Sequence, residues 1–233
     1  MKIVFLTPFF LLCGIIIFSC AGQKKPVFIP VPQNDYFITE KNDNNINLDN
    51  IIETKNGTSV RNLPGWLSAY IKGGIEEVEK LGAFFGKYVF IGNNEGLNFT
   101  AMNIWADNFS AAKDFSILAA ERIERRMISA AYLYPDNEYG LFFETMVKKA
   151  YNTVYTGAAK EDTYWIKMKA RQENDNTEVY TEKYNFFVLI SIDKMTMQTI
   201  INDLMAESLS AVTPTAEQKD SISRLRQNFF LRF

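Results

Sequence analysis

Apolar residues crowd the start of the chain, thin out, and then return at regular spacings. Ile3 to Phe18 is apolar at nearly every position, interrupted by Thr7, Pro8, Cys13 and Gly14. From Ala21 to about Asn62 apolar residues are sparse among Pro, Asn, Asp and Lys. Such a stretch buries too little apolar surface to order itself, so residues 20–62 read as a flexible linker. Beyond it Pro64-Gly65-Trp66 opens a predicted helix carrying Trp66, Tyr70, Ile71, Ile75 and Val78 at turn-like spacing. Ala83 to Ile91 is aromatic and β-branched and predicts a buried strand ending at Gly92. A long helix is expected from about Ser110 to Tyr134. Phe115, Leu118, Ala119, Ile123 and Met127 lie on its apolar stripe, with Lys113, Asp114, Glu121, Glu124, Arg125 and Arg126 mostly opposite. A second helix, about Glu138 to Tyr155, presents Phe142, Met146, Ala150 and Val154.

The clearest strand signal follows. In Thr163 to Arg171, Tyr164, Ile166, Met168 and Ala170 alternate with Trp165, Lys167, Lys169 and Arg171. Val179 to Ile192 reads as a returning strand whose second half is apolar on both faces, as expected near a sheet centre. Asp193 is placed to cap a helix from Lys194 to about Leu209, and Pro214 precedes a C-terminal helix over Ala216 to Gln227. The expected fold class is α+β, with helices packed on one face of a small, mainly antiparallel sheet. The expected organisation is a leader (1–19), a linker (20–62), an α/β domain (63–212) and a C-terminal helix and tail (213–233).

Residues 1–20 run from Met1-Lys2 through the apolar stretch to Ser19-Cys20-Ala21-Gly22. A positive start, a short apolar core and small residues at the end form a secretory signal peptide. The apolar run falls short of the roughly 20 residues that span a bilayer. Ile17-Phe18-Ser19-Cys20 resembles the lipobox of bacterial lipoproteins, with Phe18 departing from the smaller residue usual there. That resemblance implies cleavage before Cys20 and acylation, with palmitate, of that cysteine as the new first residue. One acyl chain binds a membrane only reversibly; the two or three carried by such lipoproteins make attachment effectively permanent. Ala21 in place of an Asp after the cysteine favours the outer membrane, by the sorting rule known for enteric bacteria.

Composition narrows the chemistry. The 233 residues are 47% hydrophobic and 14% aromatic, enough for a sizeable core, and their formal net charge is -2. That balance gives no concentrated basic face for nucleic acid. The chain has no histidine, which removes the usual general base near neutral pH, the Ser-His and Cys-His nucleophile pairs, and most zinc and iron sites. Its two cysteines, Cys13 and Cys20, both precede the domain, so no disulfide is expected within it. No cofactor is expected.

The order of elements over roughly residues 63–205 resembles the LPP-twenty-like family of small bacterial envelope lipoproteins. The resemblance rests on Pro64-Gly65-Trp66, on Lys87-Tyr88-Val89-Phe90-Ile91-Gly92 followed by Gly96, and on Leu118-Ala119-Ala120-Glu121-Arg122-Ile123. It continues in Thr163-Tyr164-Trp165-Ile166 and in Tyr184 to Asp193 with the helix after it. Asn98 to Phe109 looks inserted relative to that pattern. The resemblance implies a compact α/β domain on a lipid tether, related in shape to modules that organise envelope machinery, and it brings no catalytic residues.

Gly92-Asn93-Asn94-Glu95-Gly96 lacks the Lys-Ser/Thr of a P-loop and the third glycine of a dinucleotide fingerprint, so it reads as a strand-exit turn. Glu121 and Glu124, interleaved with Arg122, Arg125 and Arg126, read as a solvated charged helix face. Trp165, Lys167, Lys169 and Arg171 form the candidate binding face: a Trp beside three cations suits an acidic polymer or a partner strand. The alternative is a solvent-facing side of the sheet with Trp165 packed under a helix. Three functional readings follow. The favoured one is a non-enzymatic envelope lipoprotein that binds or positions an envelope protein or peptidoglycan-associated partner. The second is a surface antigen or adhesin. The third is a carboxylate hydrolase of cell-wall glycans, which needs two acids converging about 5–9.5 Å apart.

Overall fold

The computed structural model describes residues 46–57, 63–131, 140–172, 179–230 and 233. The expected signal peptide, Cys20 and the expected linker up to residue 45 lie outside them. Four strands form one antiparallel sheet: β1 (Ile51–Thr54), β2 (Lys87–Gly96), β3 (Ala159–Gln172) and β4 (Val179–Asp193), in the order β1-β3-β4-β2. Among the described residues the helices are α1 (Gly65–Gly73), α2 (Ile75–Glu79), α3 (Phe99–Asn108), α4 (Phe115–Ala131), α5 (Gly140–Tyr151), α6 (Lys194–Ala211) and α7 (Ala216–Phe229). The fold class is α+β, as the periodicity predicts.

The central strand β4 dictates the layering. Phe186, Val188, Ile190 and Ile192 point to one face, where Tyr88 and Phe90 of β2 join them under α4, α5, α6 and α7. Phe187 and Leu189 point to the other, with Val89, Ile91, Tyr164, Ile166 and Met168. A strand apolar on both faces needs cover on both. The main helical layer lies on one face, as expected. The opposite face is closed by a smaller layer: Trp66, Leu67 and Tyr70 of α1 and Val78 of α2.

Local chemistry sets the element ends. Asp193 caps α6 as anticipated, its Oδ1 accepting the Thr196 N–H at 2.9 Å. Thr215 and Gln218 form a reciprocal capping box at the start of α7. Ile222, Leu225, Phe229 and Phe233 are buried in the main core, so residues 213–233 belong to the same body as the rest of the domain. The helix expected through Val78 breaks at Gly74, whose positive φ of 74° ends α1 and starts α2. The linker expected to run to Asn62 ends earlier, because Ile51–Thr54 pair with Ile166 to Met168 of β3.

The largest departure lies in β2. It begins at Lys87, after a 3-10 turn over Gly82–Phe84, and continues through Gly92–Gly96 to pair with Tyr184–Val188. The expected exit turn is therefore strand. Its glycines serve close approach: a Cβ on Gly92 would lie 2.9 Å from the Phe109 ring, and one on Gly96 would lie 3.0 Å from the Met102 sulfur. What presses on them is α3, the segment that looked inserted. Asn98 caps its start, accepting from the Ala101 N–H at 3.0 Å. At its end Lys160 Nζ donates to the carbonyls of Ala106 at 2.6 Å and Phe109 at 3.4 Å, a cation at the negative pole of a helix.

Candidate functional site

The sheet is not uniformly four strands wide. β1 reaches β3 only as far as Met168, and β2 reaches β4 only as far as Tyr184. Past those points Lys169–Gln172 and Val179–Thr181, with Glu182, pair with one another. Among the described residues no further strand flanks them. The two longest strands thus project as a two-stranded arm, and the candidate binding face sits at its root and along it.

Trp165 faces the same side as Phe186, its cross-strand partner, and stacks against it at 6.3 Å. The Phe99 ring of α3 closes over it edge-on at 5.2 Å and meets Tyr184 at the same distance. Such offset and edge-to-face pairs contribute about 0.5–1.5 kcal/mol each beyond area burial. Trp165 is therefore half-buried beneath a helix, the packing alternative for this residue, and it anchors α3 rather than standing free for a ligand.

Lys167 comes next on that face. Its Nζ lies 2.5 Å from Glu182 Oε2 and 5.5 Å over the Tyr184 ring. The hydrogen bond to Glu182 holds the ammonium above its ordinary pKa, and the same bond holds the Glu182 carboxyl below its own. Lys169 is exposed and stands opposite Glu182 in the ladder. The Arg171 main chain pairs with Tyr180; its side chain lies outside what is described. Of the four expected site residues, the structure brings Trp165 and Lys167 into one aromatic and cationic cluster and sets Lys169 outward beside it.

Two further places on the domain gather polar and charged side chains. On the smaller-layer face Ser191 Oγ donates to Glu161 Oε1, and Lys87 Nζ donates to the same oxygen at 2.8 Å. The Lys87 bond, then the Ser191 bond, lower the Glu161 pKa. A carboxylate so stabilised is a poor base, and Ser191 is 2% exposed, so the trio clasps β2, β3 and β4 without offering a nucleophile. Between α5 and α6 runs an open groove of about 770 Å³, lined by Leu141, Glu144, Lys149, Ile200, Asp203 and Glu207. Lys149 bridges it to Glu207 at 2.8 Å. Among the described residues no group of three or more His, Cys, Asp or Glu is placed to hold a metal ion, and no helix is long and apolar enough to cross a membrane.

Arg122 is a correction. The sequence placed it on a solvated charged face; the structure buries it, 2% exposed. Its Nη1 donates to Glu79 Oε1 and to the Val89 carbonyl, both at 3.0 Å. The guanidinium lies about 5 Å from the rings of Tyr88, Phe90 and Phe233. The signal was present in the spacing. Position 122 lies seven after Phe115 and three after Ala119, on the apolar stripe itself. Phe99 carried no such sign, because the helix that delivers it was not assigned.

Compared with protein-family models, curated proteins and solved structures, the chain finds no match.

Proposed function

We propose that this chain is a non-catalytic envelope lipoprotein, acylated on Cys20 and held at the outer membrane, whose domain binds or positions another envelope component. The observation that supports the binding role most directly is the β3–β4 arm. Two strands run on past their neighbours carrying lysines and peptide edges that no described strand pairs, while the aromatic cluster of Phe99, Trp165, Tyr184 and Phe186 stiffens their root. A rigid base under a projecting hairpin suits recognition of a protein or peptidoglycan-associated partner. The carboxylate-hydrolase reading lacks comparable support, since Glu161 and Glu182 are both held below the usual carboxyl range, the reverse of what a general acid needs. The N-terminal pattern ending in Ser19-Cys20-Ala21 supports the anchor.

The test is cross-linking in intact cells with recovery of the tagged protein, comparing wild type, Cys20→Ala and Lys169→Glu. A single envelope partner, lost with the anchor and weakened by the arm variant, is the expected result. Labelled palmitate is expected in wild type and not in Cys20→Ala. Membrane attachment without any recovered partner would refute the binding role, and label in Cys20→Ala would refute the anchor.

A further inference from the structure

We infer that the outer edge of β3 between Lys169 and Gln172 is a strand-addition site taking an extended, carboxylate-bearing segment of a partner protein. This rests on the binding role proposed above and gives its partner a chemistry.

The backbone makes the first half of the case. β1 runs antiparallel to β3 and ends at Ile51, opposite Met168. The Lys55 N–H donates to the Trp165 carbonyl at 3.1 Å, so the Trp165 peptide groups face the β1 side. β3 keeps its register without a shift from Asp162 to Gln172. By the two-residue alternation of a strand, the N–H and C=O groups of Lys169 and Arg171 face that same side, beyond the end of β1. Among the described residues no strand meets them there; what lies nearest on that side is the 3-10 turn Leu48–Asn50, which leads into β1 and touches β3. An incoming strand would extend the ladder that β1 begins.

Charge makes the second half. Each strand that flanks the hairpin brings an acid to one of its lysines. Glu53 of β1 stands opposite Lys167, and Glu95 of β2 reaches Lys183 at 2.7 Å. Among the described residues the acid across from Lys169 on β4 is Glu182, and that carboxylate is already engaged by Lys167. A strand with acids at alternate positions repeats the Glu53–Lys167 pairing one step further along the edge. A second copy of this chain, added antiparallel on the same edge, would instead bring the exposed Lys169 edge of one copy against that of the other. Like charges facing across a ladder disfavour that occupant. The chemistry selected is therefore an acidic extended segment from another protein, with main-chain bonds giving affinity and alternating carboxylates giving choice.

Amide hydrogen exchange on the full chain in detergent tests this. The probes are a peptide of alternating Glu and Thr and its counterpart of alternating Lys and Thr. The Glu peptide is expected to slow exchange at Lys169 and Arg171 at least tenfold, and the Lys peptide to leave it unchanged. Lys169→Glu should reverse that preference. Arg171→Pro removes an outward N–H at an edge position and should abolish the protection at Lys169 with no change in the exchange of the β2–β4 ladder. Equal protection by both peptides, or by neither, overturns the site. Protection that rises with protein concentration alone assigns the edge to a second copy. Protection present without peptide and lost on removing residues 1–45 assigns it to this chain's own N-terminal segment. Either result also overturns the proposal. In cells, a partner recovered equally by wild type and Lys169→Glu leaves the binding role standing and removes the strand site; recovery of no partner removes both.

Discussion

At the outer edge of β2 and along the β3–β4 arm, one sheet treats its exposed peptide groups in opposite ways. On β2 the Val89 N–H donates to Glu79 Oε1 at 2.9 Å, and the Val89 carbonyl accepts from Arg122. A carboxylate from the end of α2 and a guanidinium from the middle of α4 thus take the places of a neighbouring strand, and they bond each other as well. On the arm the flanking side chains are lysines, which deter pairing with like strands while leaving the peptide groups accessible. An edge sealed by a buried ion pair belongs to the scaffold. An edge flanked by surface charge has, among the described residues, no such seal, and it is there that the proposed partner strand would dock.

Breaking the seal should have the largest effect. Arg122→Ala leaves Glu79 without its cation and the Val89 carbonyl without its donor in a buried site. Loss of one partner from such a pair costs about 3–5 kcal/mol. A urea titration followed by circular dichroism is expected to show the midpoint collapse, and an unchanged midpoint would remove the seal from the account. Phe99→Ala comes next. It uncovers Trp165 and strips one ring from three aromatic contacts, with an expected cost of about 1–3 kcal/mol, because Phe99 is already 38% exposed. A red shift in tryptophan emission should accompany it; Trp66 and Trp105 stay in place, so Trp66→Phe and Trp105→Phe backgrounds isolate the signal.

Acid separates the two regions further. Glu161 has its folded pKa lowered, chiefly by the Lys87 hydrogen bond, so its contribution to stability is present above the ordinary value of 4.5 and is lost as pH falls through the lower folded value. Glu161 joins three strands of the body, and Lys87→Met should flatten the decline of the urea midpoint below that pH. Glu182 is lowered in the same direction by Lys167, yet it sits on the arm, where opening is local. Lys167→Met should leave the acid unfolding profile of the body unchanged. The smallest effect is expected from Lys169→Glu, which should move the global midpoint by no more than about 0.5 kcal/mol while altering partner binding. A large loss of stability there would mean that the arm is part of the core.

What the sequence made legible were the elements whose own residues dictate them. The alternation from Thr163 to Arg171 and the Asp193 cap were readable because period and capping chemistry are local. The second half of β4 is apolar on both faces, yet the expectation set helices on one face alone; the cover that Phe187 and Leu189 receive from α1 and α2 came from the structure. Gly92–Gly96 was misread because glycine and asparagine are poor strand formers on their own. Only the approach of Met102 and Phe109 shows why side chains are excluded there. β1 was lost in the linker because four residues carry too little periodicity to stand out. At the site, Trp165 and the lysines were visible as a pattern, but the helix that covers the Trp came from a stretch with a weak stripe. The register that stops β1 at Met168 depends on pairings far apart in sequence.

That distance has a consequence for the order in which the protein is made. Among the described strands, β3 and β4 are the one pair in this sheet that follow one another closely. The bonds joining Lys55 to Thr163 and Trp66 to Asp162 close loops of 108 and 96 residues. Such closures are slow, and the strands awaiting them stay unpaired until their partners exist. As the chain emerges from its amino end, β1, α1 and β2 must wait for the hairpin to be synthesised before the sheet can form. The leading portion therefore lacks its sheet partners until the last third of the chain has been made.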